Sequence, residues 1–213
     1  MLEPDNLQGV RRAVCIVLAM FCAGLPLSSV ADPVPEATPL SAQAEYVQVE
    51  RVHMQFNRLK RISDARLWGR DDYWATPSEL LRAGGGDCED FATAKYFALR
   101  QLGVPAERLR LAYTRAFDAA RGRIEPHVVL WYRSTQDTEW RVLDSLTSRI
   151  QYQSQRGDLL PRLTFNERHV AYWHAADGEI RFGGPELIGR WQVLLQRQQA
   201  LQALASREPG QSS

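Results

Sequence analysis

The sequence predicts an α+β fold in which a buried helix packs on an antiparallel sheet. Residues 90–102 are apolar on nearly every side of a helix, a pattern typical of a buried helix. Strand-like runs follow at residues 109–114, 127–133 and 140–145, and a further strand is predicted near residues 163–166. A short polar segment separates the second run from the third, which indicates a hairpin and therefore antiparallel pairing.

The size and charge of the chain suit one ordinary globular domain. The 213 residues are 45% apolar, which is enough to build a single core. The net charge of +1 produces no strong field, and the tryptophans form no basic-aromatic stripe. The composition therefore does not favour a nucleic-acid partner.

Residues 1–31 have the pattern of a secretory signal peptide. A positive segment contains Arg11 and Arg12, residues 13–23 are apolar, and residues 29–31 form a small-x-small cleavage site. A retained membrane anchor is the alternative, although the apolar run is short for a membrane span of about 20 residues. The sequence therefore predicts export from the cytoplasm.

Loss of the signal peptide would leave Cys88 as the single cysteine of the mature chain. The two others, Cys15 and Cys22, lie in the predicted signal peptide. An internal disulfide is then excluded, and a lone thiol in an oxidising compartment is a liability unless it has a use. A buried, inert cysteine is the alternative, but glycines and acidic residues surround Cys88 instead of apolar ones.

A linker, a folded domain and a tail follow the predicted signal peptide. Residues 32–44 are rich in Pro and Ala and predict the linker, residues 45–205 predict the domain, and residues 206–213 predict a disordered tail. Within the domain, an amphipathic surface helix is predicted over residues 46–62, and Pro185 is predicted to open the last helix.

Cys88 is the candidate nucleophile because it begins the buried helix directly after a glycine run and Asp87. Backbone N–H groups in the first turn of a helix lack intrahelical partners, and the helix dipole there favours a negative thiolate. The backbone N–H of Cys88 is also a natural donor to an oxyanion. Trp74, a short distance upstream, either packs in the core or donates its indole N–H to that oxyanion.

The predicted hairpin supplies a base for this thiol. A loop of residues 134–137 sets a register in which Val129 faces Val142 and His127 faces Asp144. Directly opposed residues have Cβ atoms about 5 Å apart, close enough for a hydrogen bond between imidazole and carboxylate. We therefore predict a thiol triad in which the imidazole takes the thiol proton and the aspartate orients the imidazole.

Three other histidines compete with His127 as the base. They are His53, His169 and His174. His53 lies beside the apolar stripe of the first helix and is predicted to be structural. His127 is favoured because it begins a strand and has an acidic residue in register across a hairpin.

Three acidic residues, Asp87, Glu89 and Asp90, crowd the cysteine and predict a metal site. Their negative charge would raise the pKa of the thiol, and a bound divalent cation would cancel that charge. Several carboxylates in one tight turn suit Ca²⁺, whereas Zn²⁺ is disfavoured by the lack of a second nearby cysteine. The alternative is that these acids only cap the helix and pair with Arg82 or Lys95.

These motifs resemble those of the bacterial transglutaminase-like cysteine proteinases, and within them the LapG-type periplasmic proteases. The resemblance extends over about residues 46–166, and its nucleophile block is highly specific. The matching blocks lie at residues 71–77, 85–92, 94–97, 100–105, 127–130 and 142–144.

The resemblance implies a papain-like/transglutaminase-like core and a triad of Cys88, His127 and Asp144. It also implies Ca²⁺ held by Asp87 and Glu89, with Asp90 adjacent. Such proteins are periplasmic cysteine endopeptidases that cleave the N-terminal region of a large biofilm adhesin beside paired alanines. They are regulated by the periplasmic domain of an inner-membrane cyclic di-GMP receptor.

Two alternatives for the activity stay open at the level of the sequence. The same triad would support transglutaminase-like acyl transfer, in which an amine replaces water as the acceptor. A chain that kept the fold could also act as a non-catalytic binding module.

Overall fold

The structure of the protein is a computed structural model that describes residues 41–118, 122–174 and 176–206. The predicted signal peptide, most of the predicted linker and nearly all of the predicted tail lie outside the described residues. The first helix begins at Ala42, inside the segment predicted as linker. The predicted domain boundaries otherwise stay predictions.

The described residues form five α-helices, and the bounds of each follow. They are α1 (Ala42–Asn57), α2 (Asp64–Trp68), α3 (Pro77–Ala83), α4 (Cys88–Gln101) and α5 (Gly189–Ser206). The predicted surface helix is present as α1, shifted toward the N-terminus. The last helix begins later than predicted, because the residues Pro185–Leu187 form a separate 3₁₀ turn.

The nine strands of the described chain form two sheets. They are β1 (Lys60–Arg61), β2 (Gly85–Gly86), β3 (Leu109–Asp118), β4 (Arg123–Tyr132), β5 (Arg141–Leu143), β6 (Gln151–Tyr152), β7 (Leu159–Phe165), β8 (Val170–His174) and β9 (Gly178–Gly183). Strands β1 and β2 form a short parallel pair. The other seven strands form one antiparallel sheet in the order β6-β5-β4-β3-β7-β8-β9. The predicted α+β class is confirmed.

Helix α4 is buried against the central strands of the large sheet, as its sequence predicts. Phe91, Ala94 and Leu99 are almost inaccessible and belong to one core cluster with Leu111 of β3 and Leu130 of β4. Each large apolar side chain that is fully buried contributes about 1.5–3 kcal/mol. This packing fixes the position of the helix, and with it the position of its first residue, Cys88.

The opposite face of the sheet has its own apolar cluster, which includes Trp131, Trp140 and Trp173. The rings of Trp131 and Trp173 meet edge-to-face with centroids 4.7 Å apart. Strand β4 is therefore buried on both faces along the run 127–132. Burial on both faces explains why the sequence of this strand is a continuous apolar run and does not alternate between apolar and polar residues.

The hairpin of β8 and β9 extends the sheet beyond the strands that the sequence predicts. Tyr172 and Phe182 stack across this hairpin with centroids 4.2 Å apart, and both are largely exposed. Such exposed apolar positions lack the hydrophobic-in, polar-out alternation that identifies a half-buried strand. This explains why these two strands were missed.

Pairing of β1 with β2 explains the glycine run that precedes the nucleophile. The backbone N–H of Ile62 donates to the carbonyl of Gly86 at 2.8 Å, so the two backbones lie side by side. A Cβ atom on Gly85 would collide with the carbonyl oxygen of Lys60. Only glycine permits this close approach of the chains.

Within the described residues, no helix combines the length and the apolar character that crossing a membrane requires.

Replacement of Gly86 by Ala should destabilise the fold and disturb the turn that leads to Cys88. The added Cβ would lie 2.8 Å from Cδ1 of Leu80 and 2.9 Å from Cβ of Asp90, which is well inside van der Waals contact. We expect a loss of about 1–3 kcal/mol in the free energy of unfolding, measured by urea denaturation.

Gly157→Ala is the matched control, because a Cβ atom there meets no atom within 4 Å. We expect its free energy of unfolding to change by no more than about 0.5 kcal/mol. Equal losses in the two variants would show that steric crowding is not the reason for Gly86.

Candidate active site

Cys88 is the first residue of α4, and its thiol contacts the edge of β4. The thiol donates a hydrogen bond to Oε2 of Glu89 at 3.2 Å, and Cys88 lines the same cavity as Val128 of β4. Burial, followed by the negative charge of Glu89, raises the pKa of the Cys88 thiol well above its usual value. The acidic residues therefore oppose ionisation of the thiol, as predicted.

His127 and Asp144 form the predicted hydrogen bond, with Nε2 and Oδ1 2.7 Å apart. The predicted strand register was wrong, because Trp131 and not Val129 faces Val142. A shift of two residues leaves every side chain on its predicted face. Asp144 consequently lies just past the end of β5 and still reaches the imidazole.

Asp144 is held by more groups than the sequence predicts. Arg156 donates to its Oδ2 at 2.7 Å, and the backbone N–H of Leu146 donates to its Oδ1 at 2.9 Å. Burial alone would raise the pKa of this carboxyl, but the hydrogen bond and charge of His127, together with these two donors, hold that pKa well below its usual range. The aspartate therefore stays ionised although it is fully buried.

Cys88 and His127 line the same cavity, which has a volume of about 600 Å³. Residues 123–128 of β4 form one wall, and Trp74 and Tyr113 lie in another. The cavity therefore places the thiol and the imidazole where one substrate can reach both.

The structure does not leave the indole N–H of Trp74 free for an oxyanion. This N–H donates to Oδ1 of Asp72 at 3.0 Å, and Arg190 pairs with the other carboxylate oxygen at 2.9 Å. The Trp74 ring packs against Tyr113 and Phe165, each with centroids 6.1 Å away. Trp74 is therefore a buried residue in the wall of the cavity. Of the two predicted donors to an oxyanion, only the backbone N–H of Cys88 remains.

Three carboxylates meet beside the nucleophile, and one of them is Asp64, which the sequence reasoning missed. Oxygen atoms of Asp64, Asp87 and Glu89 lie within 4.8 Å of one another. Burial, and then the charge of Asp87, raise the pKa of Asp64 to about 6 and that of Glu89 to about 9. Oδ1 of Asp64 and Oδ1 of Asp87 are buried without a hydrogen-bond partner. Crowded carboxylates with unpartnered oxygens fit a hard divalent cation such as Ca²⁺.

Asp90, predicted as a metal ligand, has a different role in the structure. Its carboxylate accepts the backbone N–H of Ala75 at 2.7 Å and that of Asp87 at 3.3 Å. This third residue of α4 thus reaches back to the helix N-terminus, as acidic residues at that position commonly do. Asp64 takes its place in the cluster because the pairing of β1 with β2 brings a distant segment beside Asp87.

Lys95, one of the predicted partners of the acidic residues around Cys88, does not contact them. Lys95 is buried with its Nζ unpartnered, so it forms no ion pair with the acids around Cys88. His53 is buried, and its Nε2 lies 3.0 Å from the carbonyl oxygen of Thr147. His53 is therefore structural, as predicted.

A cysteine at a helix N-terminus that shares a cavity with a histidine–aspartate pair defines a thiol-dependent acyl-transfer enzyme. A family model described as "bacterial transglutaminase-like cysteine proteinase" matches residues 12–159, which is more than half of the chain. The chain belongs to the bacterial transglutaminase-like cysteine proteinases, and it is a cysteine protease by that membership.

Solved structures of LapG from Legionella pneumophila are similar to this one along nearly the whole chain. The EGTA-treated form has a TM-score of 0.65 and 28% identity, and the match covers 92% of this chain and 91% of that one. The calcium-bound form has a TM-score of 0.63 and 29% identity, with coverage of 92% and 93%. A search of curated proteins found no match.

Replacement of Arg156 by Gln should weaken the fold in a pH-dependent way. Asp144 contributes stability above its unfolded-state pKa of about 3.9, and loses this contribution as the pH falls through its lower folded-state pKa. Without Arg156 the folded-state pKa rises. We therefore expect a loss of about 1.5–3 kcal/mol at neutral pH that shrinks in acid, measured by urea unfolding across pH.

Arg168→Gln is the control, because Arg168 forms an exposed ion pair with Glu107. An exposed pair contributes about 0–1 kcal/mol, so this variant should stay close to the wild type at every pH. A loss for Arg156→Gln that did not change with pH would contradict its role in keeping Asp144 charged.

Proposed function

We propose that the protein is a calcium-dependent periplasmic cysteine endopeptidase that cleaves the N-terminal region of a large cell-surface biofilm adhesin. The observation that carries this proposal is the cavity that Cys88 shares with His127, whose imidazole is bonded to Asp144, together with the carboxylate group that includes Asp87 and Glu89 of the cavity lining. Membership in a cysteine proteinase family favours hydrolysis over acyl transfer. The periplasmic location and the adhesin substrate are expectations from the family resemblance.

In this proposal each group of the triad has a role. Nε2 of His127 is held by Asp144, so Nδ1 is the ring nitrogen left to accept the proton of the Cys88 thiol. The thiolate then attacks the carbonyl carbon of the scissile bond, while the backbone N–H of Cys88 donates to the oxyanion. The imidazolium returns its proton to the leaving amine, and water hydrolyses the thioester.

The carboxylates of Asp64, Asp87 and Glu89 would hold the calcium ion. When bound, the ion would neutralise the negative charge that opposes ionisation of the neighbouring thiol. The relative that is described as calcium-bound and as EGTA-treated supports this part of the proposal.

Regulation is the last part of the proposal. We expect the periplasmic domain of an inner-membrane receptor that senses cyclic di-GMP to sequester the protease. Addition of such a purified domain should slow cleavage of the adhesin, and unchanged cleavage in its presence would remove this part alone.

The decisive experiment identifies the products formed from a recombinant adhesin N-terminal region. We expect mass spectrometry to find a cut peptide bond beside paired alanines with calcium, and no cut for Cys88→Ala or His127→Ala. A crosslinked or aminated glutamine without a cut bond would favour the acyl-transfer alternative. Adhesin release that is unchanged in Cys88→Ala would favour the binding module.

Asp64→Asn should abolish the effect of calcium on stability. An ion that binds only the folded chain raises the melting temperature of the wild type above its value in EGTA. Asp64→Asn should lose this rise, whereas Asp90→Asn should keep the rise and melt lower in both buffers, because Asp90 braces two backbone N–H groups. Thermal unfolding and calorimetric titration with Ca²⁺ measure the two effects.

Asp177→Asn serves as the control, because this residue forms an exposed pair with His174 outside the cluster. It should bind calcium like the wild type. Undiminished calcium binding by Asp64→Asn would contradict the assignment of Asp64 as a ligand.

A further inference from the structure

Strand β4 has an incomplete ladder beside the nucleophile. It pairs with β3 along all ten of its residues, from Arg123 to Tyr132. On its other side, β5 pairs with it only at Leu130–Tyr132. No further strand pairs with β4 in the part of the chain that the structure describes. The ladder therefore stops just before the segment that lines the cavity of Cys88.

The direction of the backbone groups in this segment follows from one hydrogen bond. In an antiparallel pair, alternate residues direct both N–H and C=O to the partner strand, and the residues between direct them to the other side. The N–H of Arg133 donates to the carbonyl of Arg108 at 3.0 Å, and these two residues continue the β3–β4 register by one pair, so the odd-numbered residues of β4 face β3 and Val128 faces away from it. Ile124 and Pro126 have the same parity as Val128, and their backbone groups therefore also face the cavity.

The identity of residue 126 supports this direction independently. Proline has no backbone N–H and is tolerated in a sheet where no neighbouring strand needs that donor. Pro126 lies within the ladder that β4 forms with β3, opposite Arg115. Its position in a paired strand is therefore accommodated when its missing N–H faces the cavity and not β3.

We propose that substrate binds as an added strand along this open edge of β4, which consists of the backbone groups of Ile124, Pro126 and Val128 that face away from β3. Unpaired backbone groups at a sheet edge are a template for a further strand, and main-chain hydrogen bonds supply affinity in this mode of peptide recognition. The inference rests on the proposed function and extends it by naming the form of the substrate. The occupant is an extended segment of polypeptide that passes over Cys88.

The length of this edge also sets the length of substrate chain that can bind along it. Ile124 and Val128 are four residues apart, which is about 13 Å along a strand. A substrate must therefore be extended for roughly four residues to one side of the scissile carbonyl in order to use the whole edge. A helical segment or a very short peptide would make at most part of these contacts.

A series of peptides with single N-methylated amides tests the proposal from the side of the substrate. Each peptide has paired alanines at its centre and one methylated amide, and its Kd is measured with Cys88→Ala so that cleavage does not interfere. Loss of one main-chain donor at the edge, with a methyl group in its place, should weaken binding about tenfold. The loss should recur at every second residue, and the residues between should tolerate methylation.

The Kd series can also overturn the proposal. Uniform tolerance, uniform loss or the absence of binding by the parent peptide would exclude an added strand. Failure of the proposed function gives a different result, because native enzyme would then bind the peptides with the alternating pattern and leave them uncut.

Ile124→Pro tests the same edge from the side of the enzyme. It removes an N–H that faces the cavity and leaves the donors that pair with β3 in place. We expect KM for the parent peptide to rise with little change in kcat, whereas Ile124→Val, which keeps the N–H, should retain the native KM. An unchanged KM in a folded Ile124→Pro variant would contradict the proposal, and the peptide series decides the question without any change to the fold.

Discussion

The contact between the first turn of α4 and the edge of β4 is the constraint on which the site depends. The helix is buried on nearly all sides, and the close packing of its side chains fixes its rotation as well as its position. Its first residue, Cys88, therefore lines one cavity with Val128 and His127 of β4. Main-chain geometry and core packing thus bring Cys88 and His127 to the same cavity.

The sequence predicted the parts of this arrangement that depend on short-range patterns. The buried helix, the hairpin and the pairing of His127 with Asp144 all follow from periodicity and strand alternation. The register was wrong because the connection from β4 to β5 is longer than the predicted four-residue loop. The hydrogen bond between His127 and Asp144 forms despite this error, because a two-residue slip preserves the faces of a strand.

The positions of Asp64 and Arg156 at the site could not be predicted, because each depends on a contact between distant segments of the chain that leaves no local sequence pattern. Asp64 arrives through a two-residue parallel pairing, and Arg156 through the 3₁₀ turn that follows β6. Asp90, which the sequence predicts as a ligand, lies outside the carboxylate group for the opposite reason. Its closeness in sequence to Cys88 suggested a shared ion, whereas the third position of a helix turns a carboxylate back toward the helix N-terminus.

The aromatic contact between α5 and α4 constrains how the sequences of these two helices can evolve. Trp191 stacks on Phe97 with centroids 5.5 Å apart and meets Tyr96 edge-to-face at 5.3 Å. The C-terminal helix thereby packs on the same helix that carries the nucleophile. Substitutions at these three positions are not independent, since a change of ring size at one leaves a void or a clash at the others. Across relatives, the C-terminal helix should therefore have evolved in step with α4, as one inherited unit.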